Sequence, residues 1–384
     1  MFAEELIYGL GIMKKNLFLL MIFAFLVLSL APVFAEEKGV KSDQKSTDEL
    51  VPIVTKIGSY TCGRQPKQVL FSPDDKYIIM PLLGDTGFDI FSMEEKKIIK
   101  RITPPDSKLT GFAEGLFIPE KNAFFVSQMT TGKIHEYTYP GFEFKRSIST
   151  DAEWSKVIVW SREKQLLAVS NWITNNISII DYETGTVQRL ISTAAAPRGL
   201  YFVNGGKEII SLAFDGGKIE KFEVDTGKKL ATISIAKSAM RHIVVNRAGT
   251  HAYVSDMYFK TVYDIDLATF TISKQIKVFN NPNTIDLYND RWLFVSCRGP
   301  NNPDDYTKRS PKNGKIYIID TNDMTEVSNF EGGNQPTGLD VSNNGRYLCF
   351  SNFQDKNIEL YSIEMGVPEE SEDAETSAAT KGNQ

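Results

Sequence analysis

The sequence predicts an all-β fold, a seven-bladed β-propeller that forms a single domain. The first observation is an internal repeat, because one pattern of residues returns seven times at intervals of 42 to 54 residues. Each repeat holds four short runs rich in Val, Ile, Phe and Tyr, and four strands per period of about 40 to 45 residues are typical of a propeller blade. The repeats begin at Pro66, Ala113, Ser155, Pro197, Met240, Pro282 and Pro336.

The four runs follow each other in the same order in every complete repeat. In the third repeat the first run, SKVIVWS, ends in a polar turn, and LLAVSN and ISIID follow as the second and third runs. A Thr-Gly turn then leads into the fourth run, TVQRLIS. Apolar residues alternate with period two and the turns carry Gly, Asp and Asn, which excludes a helical repeat.

The second observation concerns the two ends of the repeat array. The last repeat stops after its third run, at YSIEM, while an apolar run without a partner, VPIVTKIGSY, precedes the first repeat. An incomplete last blade would expose an open strand edge. We therefore expect this N-terminal run, residues 51–60, to supply the fourth, outer strand of the last blade and close the ring.

The repeats resemble a known family. The runs AYVSD, FVSQ, AVSN and FVSC, followed by I-x-x-I-D and a Thr-Gly turn, are similar to the YVTN-type seven-bladed propeller repeats. The resemblance covers almost the whole chain beyond its N-terminal segment. It implies a propeller fold and a family that includes exported and surface-layer proteins, and related seven-bladed propellers include lactonases and lyases.

A secretory signal peptide is predicted over residues 1–35. Two lysines precede an apolar run from Leu17 to Ala31, and Val33-Phe34-Ala35 is a small-x-small cleavage site. The run is shorter than the ~20 residues of a membrane span, although an uncleaved N-terminal anchor is the alternative. The pattern places the true start at Met13 and predicts a periplasmic, secreted or cell-surface protein.

The folded domain is expected over residues 51–366. Residues 36–50 and 367–384 are polar and almost without aromatic side chains. Such segments bury too little apolar surface to fold, so they predict a flexible linker and a disordered acidic tail.

Charge and cysteine content exclude several classes of protein. The formal net charge of −5 over 384 residues gives no basic footprint for nucleic acid. The three cysteines, Cys62, Cys297 and Cys349, are an odd number without zinc-type spacing, so they predict neither a disulfide framework nor a zinc site.

The residue after the first position of each repeat is expected at the mouth of the central channel. Charges that directly precede buried apolar strands should lie where water reaches them. Lys156, Arg198 and Arg241 come from consecutive repeats and could form an arc for a carboxylate or a phosphate. The seven residues of this position are Lys67, Glu114, Lys156, Arg198, Arg241, Asn283 and Thr337.

The link between the second and third runs should reach the same face. Aromatic residues follow several of these links, and Arg298–Gly314 is an insertion that could cover the mouth. Two alternatives stay open: polar residues line such channels for solubility alone, and aromatic residues often wedge between blades. The aligned link residues are Leu82, Gln128, Asn171, Ala213, Asp256, Cys297 and Asn352, and the aromatic ones are Trp172, Phe214, Tyr258, Phe259 and Phe353.

An enzyme is the alternative to a binding protein. The resemblance to propeller lactonases implies that Glu114, Asn171 and Asp256 could hold Ca²⁺ or Mg²⁺ through oxygen atoms. His242 could serve as the general base of a lyase. The basic neighbours of these residues argue against a cation, and no Gly-x-Ser-x-Gly or HExxH motif is present.

The sequence therefore predicts a monomeric binding or scaffold protein of the cell envelope, without a cofactor and without a membrane span in the mature chain. Its partner would be an envelope or extracellular protein, or an anionic glycan or peptide, but no nucleic acid. A passive component of a surface layer, with no ligand site, is the third possibility. The predicted contact residues are Lys67, Glu114, Lys156, Asn171, Trp172, Arg198, Arg241, Asp256, Tyr258, Arg298 and Asn352.

Overall fold

The computed structural model describes residues 50–367, which form seven four-stranded antiparallel sheets. The sheets follow one another as the blades of a propeller, so the predicted all-β, seven-bladed fold is confirmed. The predicted signal peptide lies outside the described residues, as do the predicted linker and tail except for Leu50 and Val367. No helix in the described range is long and apolar enough to span a membrane.

Strands occupy the same four positions in every blade. The first strands, nearest the axis, are β2 (Leu70–Phe71), β6 (Phe112–Ile118), β10 (Ser155–Ser161), β14 (Pro197–Val203), β18 (Met240–Val245), β22 (Pro282–Tyr288) and β26 (Pro336–Val341). The second strands are β3 (Tyr77–Pro81), β7 (Ala123–Gln128), β11 (Leu166–Asn171), β15 (Glu208–Ala213), β19 (His251–Asp256), β23 (Trp292–Cys297) and β27 (Tyr347–Asn352).

The outer half of each blade completes the sheet. The third strands are β4 (Phe88–Ser92), β8 (Lys133–Thr138), β12 (Asn176–Asp181), β16 (Lys218–Glu223), β20 (Thr261–Asp266), β24 (Lys315–Asp320) and β28 (Asn357–Gly366). The outermost strands are β5 (Lys97–Ile102), β9 (Phe144–Ser149), β13 (Val187–Ser192), β17 (Lys229–Ser234), β21 (Thr271–Lys277), β25 (Thr325–Glu331) and, in the last blade, β1 (Val51–Thr61). One 3₁₀ turn, Pro119–Lys121, links β6 and β7.

The N-terminal strand closes the ring, as the sequence predicted. Strand β1 pairs antiparallel with β28, from Val51 opposite Gly366 to Thr61 opposite Asn357, with one irregularity near Lys56. The innermost strands of the last and first blades, β26 and β2, contact each other. Because the last blade contains both ends of the folded chain, the ring holds together through hydrogen bonds rather than through a covalent link.

Two aspartates support this closure from inside the ring. A carboxylate oxygen of Asp340 accepts a hydrogen bond from the backbone N–H of Phe71, in the first blade, at 2.6 Å. Asp286 accepts one from the N–H of Val341, in the last blade, at 2.9 Å. Each aspartate therefore ties its own innermost strand to that of the following blade.

The serine of the FVS and AVS motifs joins neighbouring blades. Ser127 Oγ accepts the backbone N–H of Glu114 at 3.1 Å and donates to the carbonyl oxygen of Lys156, in the next blade, at 2.6 Å. A hydroxyl can do both at once, whereas an apolar residue would leave a buried N–H unpaired. The same pair of bonds recurs at Ser255, Ser296 and Ser351.

The apolar core lies between blades rather than within one sheet. Phe125 of the second blade packs with Leu167 and Val169 of the third, and Phe294 of the sixth blade packs with Phe350 of the seventh. Both faces of each inner sheet are thus covered, which explains why the second and third strands are almost entirely buried. The three cysteines are free, and two of them, Cys297 and Cys349, are part of this core.

Candidate functional site

The loops before the first strands and the links after the second strands share one face of the propeller, here called the upper face. The pairing of β14 with β15 shows why, because Pro197, which begins the first strand, lies opposite Ala213, which ends the second. Met240 and Asp256 pair in the same way in the next blade. Chain segments that flank these pairs therefore reach the same end of the channel.

The register of the second blade differs by one residue from the alignment made on the sequence. Phe112, not Ala113, pairs with the last residue of its second strand, Gln128. Gly111, which precedes Phe112, has φ of +99°. The residue before the first strand also has a positive φ in five other blades, for example Ala196 at +56°. Glu114 therefore lies one residue further along its strand than Arg198 and Arg241 do. This repeat lacks the proline that marks the position in four others, so its register could not be anchored on a proline.

Glu114 lies between two arginines of other blades. Its carboxylate accepts a hydrogen bond from Arg198 Nη2, and Arg241 Nη2 is 3.9 Å from the Glu114 Oε1 atom. The side chains of Arg198, Arg241 and Glu114 are only 2%, 4% and 7% exposed. The expectation that charges at this position lie in water is wrong for these three, because they are buried together at the centre of the ring.

Three further cations surround this group. Burial and the nearby guanidinium groups of Arg241 and Arg198 lower the pKa of Lys67 well below its usual value. Burial, followed by Arg198 and Arg241, does the same to the pKa of Lys156. Burial lowers the pKa of Arg298 to about 10, and Arg298 in turn acts on Lys67 and Arg241. Five basic side chains from five blades thus converge on a single buried carboxylate; we call these six residues the cationic centre.

The cationic centre has donors without acceptors. Within residues 50–367, four buried guanidinium nitrogens find no hydrogen-bond acceptor: Nη1 of Arg198, Nη1 and Nη2 of Arg241, and Nε of Arg298. Leaving such donors unpaired costs about 1–3 kcal/mol each, and more when the group is charged. Buried arginines of this kind have the geometry to hold an anion, because guanidinium groups present a planar fork of N–H donors.

An apolar collar surrounds the cationic centre. It consists of the residue that follows each second strand or, in the first blade, that follows Leu82, which pairs with Pro66. The backbone N–H of each donates to the chain before the first strand of its own blade, as Phe214 does to the Ala196 carbonyl at 2.9 Å. Arg298 occupies this place in the sixth blade. The other members of the collar are Leu83, Met129, Trp172, Phe214, Met257 and Phe353.

Aromatic rings of the collar contact the cations directly. Lys156 Nζ lies 3.7 Å from the centroid of the Trp172 ring, which in turn packs against Phe214 at 4.8 Å. The Phe353 ring is approached by Lys67 at 5.4 Å and by Arg298 at 5.1 Å. The face of an aromatic ring attracts a cation, and this attraction persists where water is excluded. These rings therefore help to stabilise the charges at the centre.

Three of the predicted contact residues are instead held within their own blades. Asn171 exchanges hydrogen bonds with Ser155, Asn176 and Ser178. Asp256 accepts the backbone N–H groups of residues 239, 258 and 259 and the Tyr263 hydroxyl. The amide of Asn352 is bonded to Gly333, Asn357 and Glu359. These side chains stabilise the turns at the ends of the second strands.

The oxygen ligands suggested for a divalent cation do not fit one. The Glu114 carboxylate faces arginines, and the oxygens of Asn171 and Asp256 are already engaged. No group of three His, Cys, Asp or Glu side chains placed to hold a metal ion occurs in the described part of the chain. Burial lowers the pKa of His242, beside the arginines, to about 4, so this imidazole is neutral at pH 7.

The insertion of the sixth blade lies on the seventh. Arg298 Nη2 donates to Gln335 Oε1 at 2.5 Å, and Gln335 Nε2 donates to the Lys308 carbonyl at 3.2 Å. The backbone N–H of Ser310 donates to Asn334 Oδ1 at 2.9 Å. The loop therefore fixes the Arg298 side chain over Phe353 and raises Tyr306, which is 66% exposed, on the upper face.

The two faces of the propeller differ in their exposed apolar side chains. Tyr258, predicted as a contact residue, is 56% exposed and packs edge-on against Phe259. On the opposite face, the ends of the described chain, Leu50 and Val367, are 43% and 45% exposed, so exposed apolar side chains occur on both faces but more of them lie in the loops of the upper face. Large exposed apolar side chains in the loops of the upper face are Leu109, Trp154, Ile173, Tyr258 and Tyr306.

The sequence missed part of this arrangement. Leu83, Met129 and Met257 belong to the collar, but they were not predicted from the sequence. The prediction was limited to the aromatic residues after the second strands, and these three are not aromatic. Their shared position in the repeat could have predicted them, because Met129 and Met257 directly follow the last residue of a second strand and Leu83 directly follows Leu82. A column of residues taken one place further along the alignment would have found them.

Fold and site together define a seven-bladed propeller with a buried cationic centre and an apolar upper face, as suits a binding scaffold. The chain belongs to the same family as antigen Lp49 of Leptospira interrogans (serogroup Icterohaemorrhagiae, serovar copenhageni, strain Fiocruz L1-130). The two are 37% identical over 316 residues, which cover 79% of this chain and 69% of Lp49. No protein-family model matches the chain, so the particular resemblance to YVTN repeats stays a prediction.

A solved structure supports the fold independently. A chain of Kuenenia stuttgartiensis hydrazine synthase aligns with a TM-score of 0.67 over 78% of this chain and 96% of its own length. The aligned residues are 14% identical, so the likeness concerns the fold alone.

Proposed function

We propose that the protein is an exported binding module of the cell envelope that holds an anionic group of its partner at the cationic centre. The observation that carries this proposal is Arg241, a buried guanidinium group whose two terminal nitrogens have no hydrogen-bond acceptor within the described residues. A buried charge is costly unless it is paired and hydrogen-bonded. A bound carboxylate or phosphate would supply the acceptors that the chain itself does not.

The surroundings of the centre favour a macromolecular partner. Exposed apolar side chains such as Tyr258 and Tyr306 stand on the same face as the cations. Tyrosine and tryptophan are enriched at protein interfaces, where they flank a few residues that carry most of the binding free energy. We infer that a protein or peptide docks on this face and that its acidic group reaches the channel.

Export is part of the proposal. The N-terminal pattern of lysines, apolar run and small-x-small site is that of a secretory signal. The related Lp49 is named an antigen, which agrees with a protein that is accessible at the cell surface.

The test is a capture experiment with residues 36–384 as bait and cell envelopes as the source of partners. An Arg241→Met bait removes the unpaired cation while keeping an unbranched side chain of similar length. A Lys100→Met bait, changed on the exposed outer strand of the first blade, removes the same charge away from the site.

The expected result is a crosslinked partner that the wild-type and Lys100→Met baits retain and the Arg241→Met bait loses. Thermal unfolding of all three baits confirms that each is folded. Equal capture by the two variants would overturn the assignment of the cationic centre as the binding site.

A further inference from the structure

The cationic centre offers more hydrogen-bond donors than a carboxylate can accept. The unpaired nitrogens are three terminal guanidinium nitrogens and one Nε. Terminal nitrogens carry two N–H bonds and Nε carries one, so about seven N–H bonds are available, whereas a carboxylate has about four lone-pair sites. A phosphoryl group has three strongly accepting oxygens at three corners of a tetrahedron around phosphorus. It can therefore meet donors that approach from several blades.

The charge of the centre leads to the same ligand. The charges of Arg241, Arg198, Arg298 and Lys156 all lower the pKa of Lys67, after its burial, and Glu114 is the carboxylate that is hydrogen-bonded within the group. A monoanion would leave most of the repulsion among the cations in place. A phosphate monoester carries about −1.5 to −2 charges at pH 7, so it compensates roughly twice as much.

The collar adds a preference about what the phosphoryl group is attached to. Trp172 and Phe214 form a continuous aromatic surface next to Lys156, and Met257 and Phe353 extend the apolar rim. Methionine and aromatic side chains accommodate apolar groups of varied shape. An ester with an apolar body should therefore bind more tightly than free phosphate.

We propose that the anionic group held at the cationic centre is a phosphoryl group, carried as a monoester next to an apolar part of the ligand. This inference rests on the proposed function, because it concerns the same site and adds the chemical class of its ligand. Arg241 and Arg298 would share the phosphoryl oxygens, and Lys67 and Lys156 would balance the remaining charge.

The experiment is isothermal titration of residues 36–384 with four small probes at neutral pH. Phenyl phosphate represents the ester, inorganic phosphate the free ion, benzoate the carboxylate of similar shape, and benzyl alcohol the apolar body without charge. We expect phenyl phosphate to bind at least tenfold more tightly than benzoate, inorganic phosphate to fall between them, and benzyl alcohol to bind least. The Arg241→Met variant should lose at least tenfold in affinity for phenyl phosphate, and Lys100→Met should match the wild type.

The outcomes separate this inference from the proposed function. If benzoate binds as tightly as phenyl phosphate and loses affinity in Arg241→Met, the site is an anion site and the phosphoryl assignment is overturned. If inorganic phosphate binds more tightly than the ester, the preference for an apolar body is overturned. If no probe binds at millimolar concentration while the envelope partner is still lost by Arg241→Met, the inference fails and the proposed function stands. If the partner is retained as well, both fail.

Discussion

Two buried carboxylates of this propeller, Glu136 and Glu114, sit among cations in very different ways. Glu136, on β8, is completely buried and accepts hydrogen bonds from Lys145, Arg146 and the Tyr182 hydroxyl. Both terminal nitrogens of Arg146 also have an acceptor, since they bond the carbonyl oxygens of residues 183 and 182. The group is saturated and joins the second blade to the third.

The group around Glu114 is unsaturated. One carboxylate faces Arg198 and Arg241, and several of their nitrogens have no acceptor among residues 50–367. A buried ionic group that is fully paired contributes to a defined structure, whereas a partly paired one costs stability. The comparison supports the proposal that the first group stabilises the fold and the second binds a ligand.

Breaking the saturated group should have the largest effect. Glu136→Gln removes the charge that accepts hydrogen bonds from Lys145 and Arg146, and we expect a loss of about 1.5–3 kcal/mol in the free energy of unfolding, because hydrogen bonds to a charged group contribute that much. Lys145 and Arg146 are 51% and 25% exposed, so water can still solvate them and the loss stays below that of a fully buried pair. Urea denaturation measures it. Glu183→Gln is the control, since Glu183 pairs with Lys121 at the surface and this change should affect stability far less. Equal effects of the two changes would contradict the comparison.

Removing one cation from the unsaturated group should increase the free energy of unfolding. Arg241→Met removes a buried cation that has no hydrogen-bond acceptor within the described residues, so we expect the free protein to gain about 1 kcal/mol in stability. Arg146→Met, in the saturated group, should lose stability in the same urea series. A clear loss of stability in Arg241→Met would mean that Arg241 is paired in the free protein.

The aspartate pair at the closure of the ring gives an effect of similar size that is limited to one range of pH. Burial and the neighbouring Asp286 raise the pKa of Asp340 well above its usual value. An acid with a raised pKa in the folded state stabilises the fold while it is protonated, and this contribution is lost as pH rises through the raised pKa. Asp340→Asn mimics the protonated form and keeps an oxygen for the Phe71 N–H.

We therefore expect Asp340→Asn to stabilise the protein by on the order of 1 kcal/mol at pH 8 and to change it little at pH 4. Thermal unfolding at both pH values measures the difference. Asp290→Asn, an exposed aspartate of the sixth blade, is the control and should show no such pH dependence. A stabilisation that is equal at both pH values would show that the pKa of Asp340 is not raised in the folded protein.

Much of the fold could be read from the sequence because its signals are local. The alternation of apolar residues, the Thr-Gly turns and the repeated Ser of the second strands recur at nearly constant spacing, so the number of blades and their strands followed. The spare run VPIVTKIGSY predicted closure, since a free edge is unfavourable. The column that contains Arg198 and Arg241 was found by the same alignment.

The candidate site could be predicted only in part. The alignment indicated which residues approach the channel, yet it placed Glu114 one residue away from its true register because Phe112 replaces the usual proline. It also grouped Asn171 and Asp256 with the channel, although their side chains are held in turns. A side chain at the end of a strand can point into the channel or into the adjacent turn. Its hydrogen bonds decide between the two, and their partners are residues at other positions of the repeat.

Local sequence signals are enough to specify an all-β ring of seven blades, its closure by the N-terminal strand, and the positions from which charged residues approach the axis. The tertiary structure alone decided that five cations from five blades meet around Glu114 and that Arg241 is left without an acceptor within the described residues. The physical reason is distance along the chain. Periodicity and turn chemistry act between neighbours in sequence, whereas Glu114 and Arg198, 84 residues apart, meet only when the ring is complete.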